Sequence, residues 1–148
     1  IDAWDMQYAS DGRSTPNLVP YRITLDNTRC YNVQYPTTLP TFDELIGIDG
    51  ADAFRAAQHI LAITQSNPND QVFTLHAELE GQKLLPAFRE LMVGWLQQGH
   101  DLVTMGELHR SWAATGQLDK IATEQFKYGT IANRSGELMI QASTATNF

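Results

Sequence analysis

Two short segments of the sequence carry ionisable side chains at positions where a β-strand is expected to end. The first reads Tyr8-Ala9-Ser10-Asp11-Gly12-Arg13 and the second reads Leu75-His76-Ala77-Glu78. A histidine beside an aspartate is suited to general acid catalysis, because the carboxylate fixes the imidazole tautomer and stabilises the imidazolium. We therefore consider His76 as an acid oriented by Asp11. The alternative is a hydrogen-bonded structural histidine and an aspartate that serves only the turn.

Several other chemistries lack their sequence signatures. The chain contains no GxGxxG, P-loop or GxSxG segment, so nucleotide binding and serine hydrolase chemistry are not supported. Its only cysteine, Cys30, excludes an intrachain disulfide and a thiolate zinc cluster. His100 and His109 do not have a recognised metal-ligand spacing. Seventeen acidic and ten basic side chains give a formal net charge of −7, and this field argues against a nucleic-acid partner.

The elements that must position the two segments are predicted to alternate along the chain. Three segments have the apolar alternation or the β-forming composition of strands: residues 3–10, 72–76 and 101–105. Four segments have helical spacing or capping signals: a short helix from Thr41, residues 51–65, residues 84–99 and a short helix from Gly106. This order favours right-handed βαβ crossovers and a largely parallel sheet, which is an α/β fold.

Two regions depart from this alternation. Residues 13–40 contain four prolines and many Asn and Thr residues, which predicts a long ordered loop with short extended pieces. Residues 123–131 and 137–142 have the composition of strands, and the turn-forming run between them predicts a C-terminal β-hairpin. No run reaches the ~18 consecutive apolar residues that a membrane-spanning helix requires. With 148 residues, 43% of them hydrophobic, the chain suits one globular domain or part of one.

Three motifs, read in order, resemble those of one enzyme family. They are the segment Tyr8–Arg13, the run TLPTFDELIG at residues 38–47 and the run TLHAELEG at residues 74–81. These motifs are similar to those of the polysaccharide deacetylase (NodB-homology) superfamily, and the tail over residues 126–136 also resembles the end of such a protein. The resemblance spans almost the whole chain. It implies the C-terminal part of a distorted, NodB-like β/α barrel, followed by the C-terminal hairpin.

The same resemblance implies a reaction and a set of site residues. The reaction is amide hydrolysis, in which a divalent metal cation activates water and polarises the amide carbonyl. His76 matches a late-strand histidine that protonates the leaving amine, and Asp11 matches the aspartate that orients it. Tyr8 matches the bulky residue that walls the site, and Arg13 and Glu78, in the same motifs, are expected to bind substrate.

The motifs that would hold the metal are missing from this sequence. No run resembles the family's metal triad or its general-base aspartate, so we expect no metal ligand in this chain and place those residues before Ile1. The first residue is Ile1 rather than Met, which also indicates a truncated or processed start. Residues 1–148 are therefore expected to be the C-terminal portion of a polysaccharide deacetylase-like catalytic domain. Its partner would be the N-terminal half of the same protein, and the portion alone would be inactive.

The resemblance further implies the substrate and its place in the cell. The motifs resemble those of a deformylase branch that removes formate from a 4-formamido arabinose on undecaprenyl phosphate. The free amine adds positive charge to lipid A and weakens the attraction of cationic peptides. Such a substrate implies peripheral contact with the cytoplasmic side of a bacterial inner membrane. Two alternatives stay open: a deacetylase of another amino sugar, and a noncatalytic module that binds carbohydrate or lipid phosphate.

Overall fold

The computed structural model describes residues 6–14, 20–25, 28–130 and 136–141. The α-helices of this part are α1 (Phe42–Leu45), α2 (Ala53–Ser66), α3 (Leu85–Gln97) and α4 (Met105–Ala114). Its strands are β1 (Tyr8–Ala9), β2 (Tyr21–Leu25), β3 (Thr28–Gln34), β4 (Ala122–Glu124), β5 (Phe126–Gly129) and β6 (Leu138–Gln141). Shorter helical turns are Ile48–Gly50, Gln117–Lys120 and a π-helical turn over Leu79–Lys83. The described part of the chain therefore contains both helices and strands, which is the part of the predicted α/β fold that is confirmed.

The main sheet is mixed rather than largely parallel. Its strands lie in the order β1-β3-β2-β4, with β2 antiparallel to β3, β1 parallel to β3 and β2 parallel to β4. The predicted loop over residues 13–40 is therefore wrong where β2 and β3 form. Pro20 and Pro36 lie just outside the paired residues, where they remove no ladder hydrogen bond. The strand predicted over residues 3–10 is observed as β1, and its residues 3–5 lie outside the described ranges.

Two of the predicted strands are not formed. Residues 72–76 and 101–105 contain β-forming side chains, yet neither segment joins a sheet, and Met105 already begins α4. Composition favours a strand only where a neighbouring strand supplies hydrogen bonds. Residues 72–76 are attached instead through Val72, whose carbonyl accepts hydrogen bonds from the N–H groups of Thr38 (3.0 Å) and Leu39 (3.2 Å). The predicted βαβ crossovers through these segments are wrong, and the barrel stays a prediction.

The two long helices lie close to their predicted ranges, and capping interactions are found at their ends. The Asp52 side chain accepts a hydrogen bond from the N–H of Arg55 at 2.9 Å and caps α2. At the end of α3, Gly99 takes a left-handed conformation with φ of 84°, and the His100 N–H donates to the Trp95 carbonyl at 3.0 Å. This is the Schellman arrangement that glycine allows. The local sequence therefore determines where α2 and α3 start or stop.

Two apolar clusters support the fold. The helical cluster joins α1, α2 and α3 and consists of Leu39, Phe42, Leu45, Ala56, Ala57, Ile60, Ala87, Leu91 and Trp95. The sheet cluster has a buried centre of Val33, Tyr35 and Val72, against which Tyr8, Met105, Leu108, Leu118 and Ile121 pack. In the helical cluster α2 and α3 approach closely at Gly94, where a Cβ atom would lie 2.5 Å from Leu61 Cδ2. A side chain at position 94 would therefore require Leu61 to move.

The C-terminal strands form the predicted antiparallel pair. β5 pairs with β6 in the register that matches Phe126 with Gln141 and Gly129 with Leu138, which confirms the pairing of the predicted hairpin. Residues 131–135, which hold most of the predicted turn, lie outside the described part. The pair is attached to the first predicted site segment, because the N–H of Arg13 donates to the Met139 carbonyl at 2.9 Å.

Candidate active site

His76 lies where the extended residues 72–76 turn into the helical segment that leads to α3. Its carbonyl accepts hydrogen bonds from the N–H groups of Leu79 (2.8 Å) and Glu80 (3.0 Å). Its own N–H donates to Glu80 Oε2 at 2.7 Å, and Glu80 is only 1% exposed. The backbone of His76 is therefore fixed at both its N–H and its carbonyl by the helical turn that follows it.

The ring of His76 faces α1. Its Nδ1 lies 3.4 Å from Oδ1 of Asp43, a separation typical of an ion pair rather than of a short hydrogen bond. The two side chains are 39% and 52% exposed, so solvent reaches both. The capping box predicted at the start of α1 is formed, with the Thr41 N–H donating to Glu44 Oε2 at 3.0 Å. Because Asp43 belongs to this capped turn, its position follows from the cap.

Arg13 reaches the same short helix from the other predicted segment. Its Nη1 donates to Thr37 Oγ1 at 2.9 Å, and its Nη2 lies 3.7 Å from Oε1 of Glu44. The Arg13 and Glu44 side chains are 19% and 6% exposed, so this ion pair is largely shielded from solvent. The structure thus brings Arg13 and His76 to one element, where two successive carboxylates of α1 contact them.

Asp11 is exposed on the loop that follows β1. The adjacent Gly12 packs against Tyr21, since a Cβ atom on Gly12 would lie 2.8 Å from the tyrosine hydroxyl. Burial raises the pKa of Tyr21 to about 12, and the negative charge of Asp11 contributes to this rise. The carboxylate in contact with the His76 ring is that of Asp43. The orientation of His76 by Asp11 therefore stays a prediction.

Tyr8 and Glu78 have different surroundings. The ring centroid of Tyr8 lies 5.1 Å from that of His109 and 6.2 Å from that of Tyr35, so Tyr8, on β1, packs against α4 and the residue that follows β3. Glu78 is exposed in the helical turn that follows His76. The roles of Tyr8 as a pocket wall and of Glu78 as a substrate ligand stay predictions.

His109 forms a second polar arrangement on the sheet side of the molecule. Its Nδ1 lies 3.1 Å from the hydroxyl of Tyr35, within hydrogen-bonding distance. Burial lowers the pKa of His109, and the positive charge of Arg22 lowers it further. Burial also raises the pKa of Tyr35 to about 12. Both shifts favour the neutral forms, so this pair is suited to a structural hydrogen bond.

Three carboxylates of the site, those of Asp43, Glu44 and Glu80, have contacts that the sequence did not predict. The capping signal at Thr41 was the available clue to two of them, because it predicts the helix that places them. The contacts of Asp43 with His76 and of Glu44 with Arg13 join residues far apart in the chain, and no local pattern encodes them. Glu80 carries the weakest signal, since a glutamate beside a helix start is usually solvated.

No metal-ion site is formed by the part of the chain that the structure describes. No three His, Cys, Asp or Glu side chains of these residues come together in a group that could hold a cation. These residues therefore do not fit the divalent metal that the family resemblance implies. Within the same ranges, no helix has both the length and the hydrophobicity to cross a membrane.

Two curated relatives confirm the resemblance. The chain is 28% identical over 138 residues to the probable 4-deoxy-4-formamido-L-arabinose-phosphoundecaprenol deformylase ArnD of Wigglesworthia glossinidia brevipalpis, an alignment that covers 93% of this chain and 45% of that protein. It is 35% identical over 111 residues to the protein of the same name from Shewanella sediminis (strain HAW-EB3), covering 74% of this chain and 34% of that protein. The chain thus spans less than half the length of these relatives. No family model matches it.

Proposed function

From the similarity of this chain to 4-deoxy-4-formamido-L-arabinose-phosphoundecaprenol deformylases, we propose that it carries the general acid of a deformylase active site. The reaction is hydrolysis of the 4-formamido group of an arabinose on undecaprenyl phosphate, which yields formate and a free amine. The observation that carries this proposal is the setting of His76. Its ring is partly open to solvent, lies 3.4 Å from the Asp43 carboxylate and belongs to the TLHAELEG run.

In this reaction His76 supplies a proton to the leaving amine. An imidazolium N–H donates its proton to the amide nitrogen as the C–N bond breaks, the electron pair of that bond stays on the nitrogen, and the imidazole becomes neutral. The Asp43 carboxylate lies 3.4 Å from the ring Nδ1 and can orient the ring. We assign Asp11 as a further orienting carboxylate. Tyr8 would wall the substrate pocket, and Glu78 would bind polar groups of the sugar.

Arg13 has a more constrained part in the proposed site. Its guanidinium already contacts Thr37 and Glu44, so it would bind substrate while it holds α1. A guanidinium has five donors, and the two contacts leave others available for an anionic or hydroxyl group of the substrate. Substitution of Arg13 would therefore change both substrate affinity and the position of α1.

We further propose that residues 1–148 are the C-terminal portion of a NodB-like barrel domain. The partial coverage of the two relatives supports this assignment, since the rest of such a domain would come from elsewhere in the protein. The divalent metal implied by the resemblance would supply water activation in that remaining portion. The steps derived for this chain are those of its own side chains.

The lipid-linked substrate determines where the protein would act. We place it at the cytoplasmic side of a bacterial inner membrane, in peripheral contact with the bilayer that holds undecaprenyl phosphate. The amine released on the arabinose would contribute positive charge to lipid A. Reduced attraction of cationic peptides, and hence resistance to them, would follow from the changed surface charge.

The acid role is tested by His76→Ala in the complete gene product, assayed for formate release from the formamido-arabinose lipid. Loss of a general acid is expected to lower kcat by roughly 10²-fold or more. His59→Ala is the matched control, because His59 is exposed on α2 and is expected to leave the rate unchanged. An unchanged rate in His76→Ala would contradict the role.

The substrate class is tested separately with the wild-type protein. Formyl and acetyl derivatives of the same aminosugar lipid are compared by their kcat/KM values. A preference for the formyl group is expected, because the similarity is to deformylases. A preference for the acetyl group would assign the protein instead to deacetylation of an amino sugar.

A further inference from the structure

We propose that His76 is held by two carboxylates of this chain, Glu80 at its backbone and Asp43 at its ring, and that both are positioning residues. This role rests on the proposed function, because it concerns the acid of that reaction. Neither residue belongs to the pair that the motifs predicted, which was His76 with Asp11.

Glu80 is a buried carboxylate whose observed hydrogen bond is to His76. It is 1% exposed, its Oε2 accepts the His76 N–H at 2.7 Å, and its Oε1 has no hydrogen-bond partner among the described residues. Burying a carboxylate with half of its acceptors unpaired is unfavourable. Its position at the start of a helical segment, where a negative charge interacts well with the free N–H groups, offsets part of this cost. The remaining cost of burying Glu80 is explained if its function is to hold the backbone of His76.

Asp43 contacts the side chain of His76, whereas Glu80 contacts its backbone. Its Oδ1 lies 3.4 Å from His76 Nδ1, so it favours the tautomer and the ring rotation in which Nδ1 carries a proton. The remaining nitrogen, Nε2, is then the one that exchanges a proton with substrate. Glu80 thus holds the backbone of His76, and Asp43 favours one orientation of its ring.

The position of Asp43 is itself secured by its neighbour in α1. Glu44 accepts the Thr41 N–H at 3.0 Å and pairs with Arg13 at 3.7 Å, in a nearly buried environment. The charged groups in contact with His76 in the described ranges are then Asp43, from α1, and Glu80, from its own helical segment. Arg13 acts on His76 only through this helix.

The ring contact is tested by Asp43→Asn in the complete gene product, with Asp49→Asn as the matched control. Asp49 is an exposed acid just after α1, and its φ of 50° suits asparagine equally well. We expect Asp43→Asn to lower kcat about tenfold with KM unchanged, a part of the roughly 10²–10⁴-fold value of a general acid. Equal kcat in the two variants would overturn the ring contact.

The backbone contact is tested by comparing Glu80→Gln with Glu80→Ala. Glutamine keeps an oxygen that can accept the His76 N–H, so its kcat is expected within about threefold of wild type, whereas alanine loses about tenfold. Glu90→Gln, at an exposed position of α3, is the control for loss of a charge. If Glu80→Ala retains wild-type kcat, the positioning role is wrong.

Nuclear magnetic resonance of histidine-labelled protein separates positioning from activity. The His76 amide proton signal is expected to move upfield in Glu80→Ala and to stay near its place in Glu80→Gln, because a short hydrogen bond to oxygen shifts it downfield. The His76 ring ¹⁵N signals are expected to change in Asp43→Asn but not in Asp49→Asn. Signals that respond in this way in a protein that releases no formate would overturn the proposed function and support the positioning. Unresponsive signals in an active protein would overturn the positioning alone.

Discussion

His76 and His109 are both partly buried, yet their neighbours give them opposite properties. His76 contacts two carboxylates and remains open to solvent, which suits a group that gains and gives a proton. His109 contacts the rings of Tyr8 and Tyr35, and burial and Arg22 lower its pKa. Burial and the charge of the neighbours together therefore distinguish the candidate acid from the structural histidine in this fold.

The two clusters beneath these histidines also differ. The helical cluster, beside α1, is formed by apolar side chains of three helices. The sheet side buries several polar side chains, namely Ser14, Asn32, Gln34 and Thr37. The helical side also buries polar side chains, among them Thr64 and Glu80, so packing and hydrogen bonds support both sides. The packing of α2 against α3 at Gly94 and the Tyr35–His109 hydrogen bond are one example of each. Substitutions that remove each kind of support are expected to separate the two sides.

The largest effect is expected from Gly94→Ala on the helical side. The new Cβ atom would lie 2.5 Å from Leu61 Cδ2 and 2.6 Å from Cδ1, so the whole leucine side chain or α3 must move. We expect the free energy of unfolding to fall by about 2–3 kcal/mol, measured by chemical denaturation. Gly81→Ala has nothing within 4 Å of its Cβ and is expected to cause no loss. Equal stability of the two variants would show that the crossing is not tightly packed.

A smaller effect is expected from Tyr35→Phe on the sheet side. This substitution removes the hydroxyl that lies 3.1 Å from His109 Nδ1, and it is expected to cost about 1 kcal/mol of unfolding free energy. Tyr21→Phe is the matched control, since the buried Tyr21 hydroxyl has no hydrogen-bond partner among the described residues. Its loss should be neutral or slightly stabilising. A larger cost for Tyr21→Phe than for Tyr35→Phe would contradict the assigned hydrogen bond.

The smallest effect is expected in the pH dependence of stability that His109 causes. Because its pKa is lowered in the folded state, the unfolded chain binds the proton more tightly. Well above the ordinary histidine pKa, His109 does not change the free energy of unfolding. As pH falls through the ordinary pKa towards the lowered pKa of the folded state, the free energy of unfolding decreases. Denaturation of wild type and His109→Gln at pH 8 and pH 5 measures it. The variant is expected to lose less stability on acidification, and an equal or greater loss would remove the distinction between the two histidines.

The parts of the fold that the sequence predicts are those with local causes. α2 follows from its apolar spacing, α3 from its apolar spacing and the glycine at position 99, and α1 from the capping pair of Thr41 and Glu44. The sheet could not be predicted in the same way. Strand pairing depends on distant partners, so the β-forming residues 72–76 find none, while β2 and β3 form within a proline-rich region.

The candidate site also has features that the sequence predicts and contacts that depend on distant residues. His76 and Arg13 are recognisable from their motifs, and the structure brings both to α1. The contacts of Asp43 with His76 and of Glu44 with Arg13 depend on how α1 packs, which no spacing in the sequence encodes. Asp43 and Glu44 are two adjacent acids in a short helix, and such a pair is usually part of a solvated surface. Only the tertiary structure shows that they contact His76 and Arg13.

The parallel pairing of β2 with β4 makes completion of this sheet depend on residues far apart in the chain. Tyr21 and Ala122 are register partners, so a nascent chain must extend past all four helices before β2 gains its second neighbour. Contacts so distant in sequence form slowly, because a long loop must close first. Until then this edge of β2 lacks its partner, and an unpaired strand edge is a template for pairing with other chains.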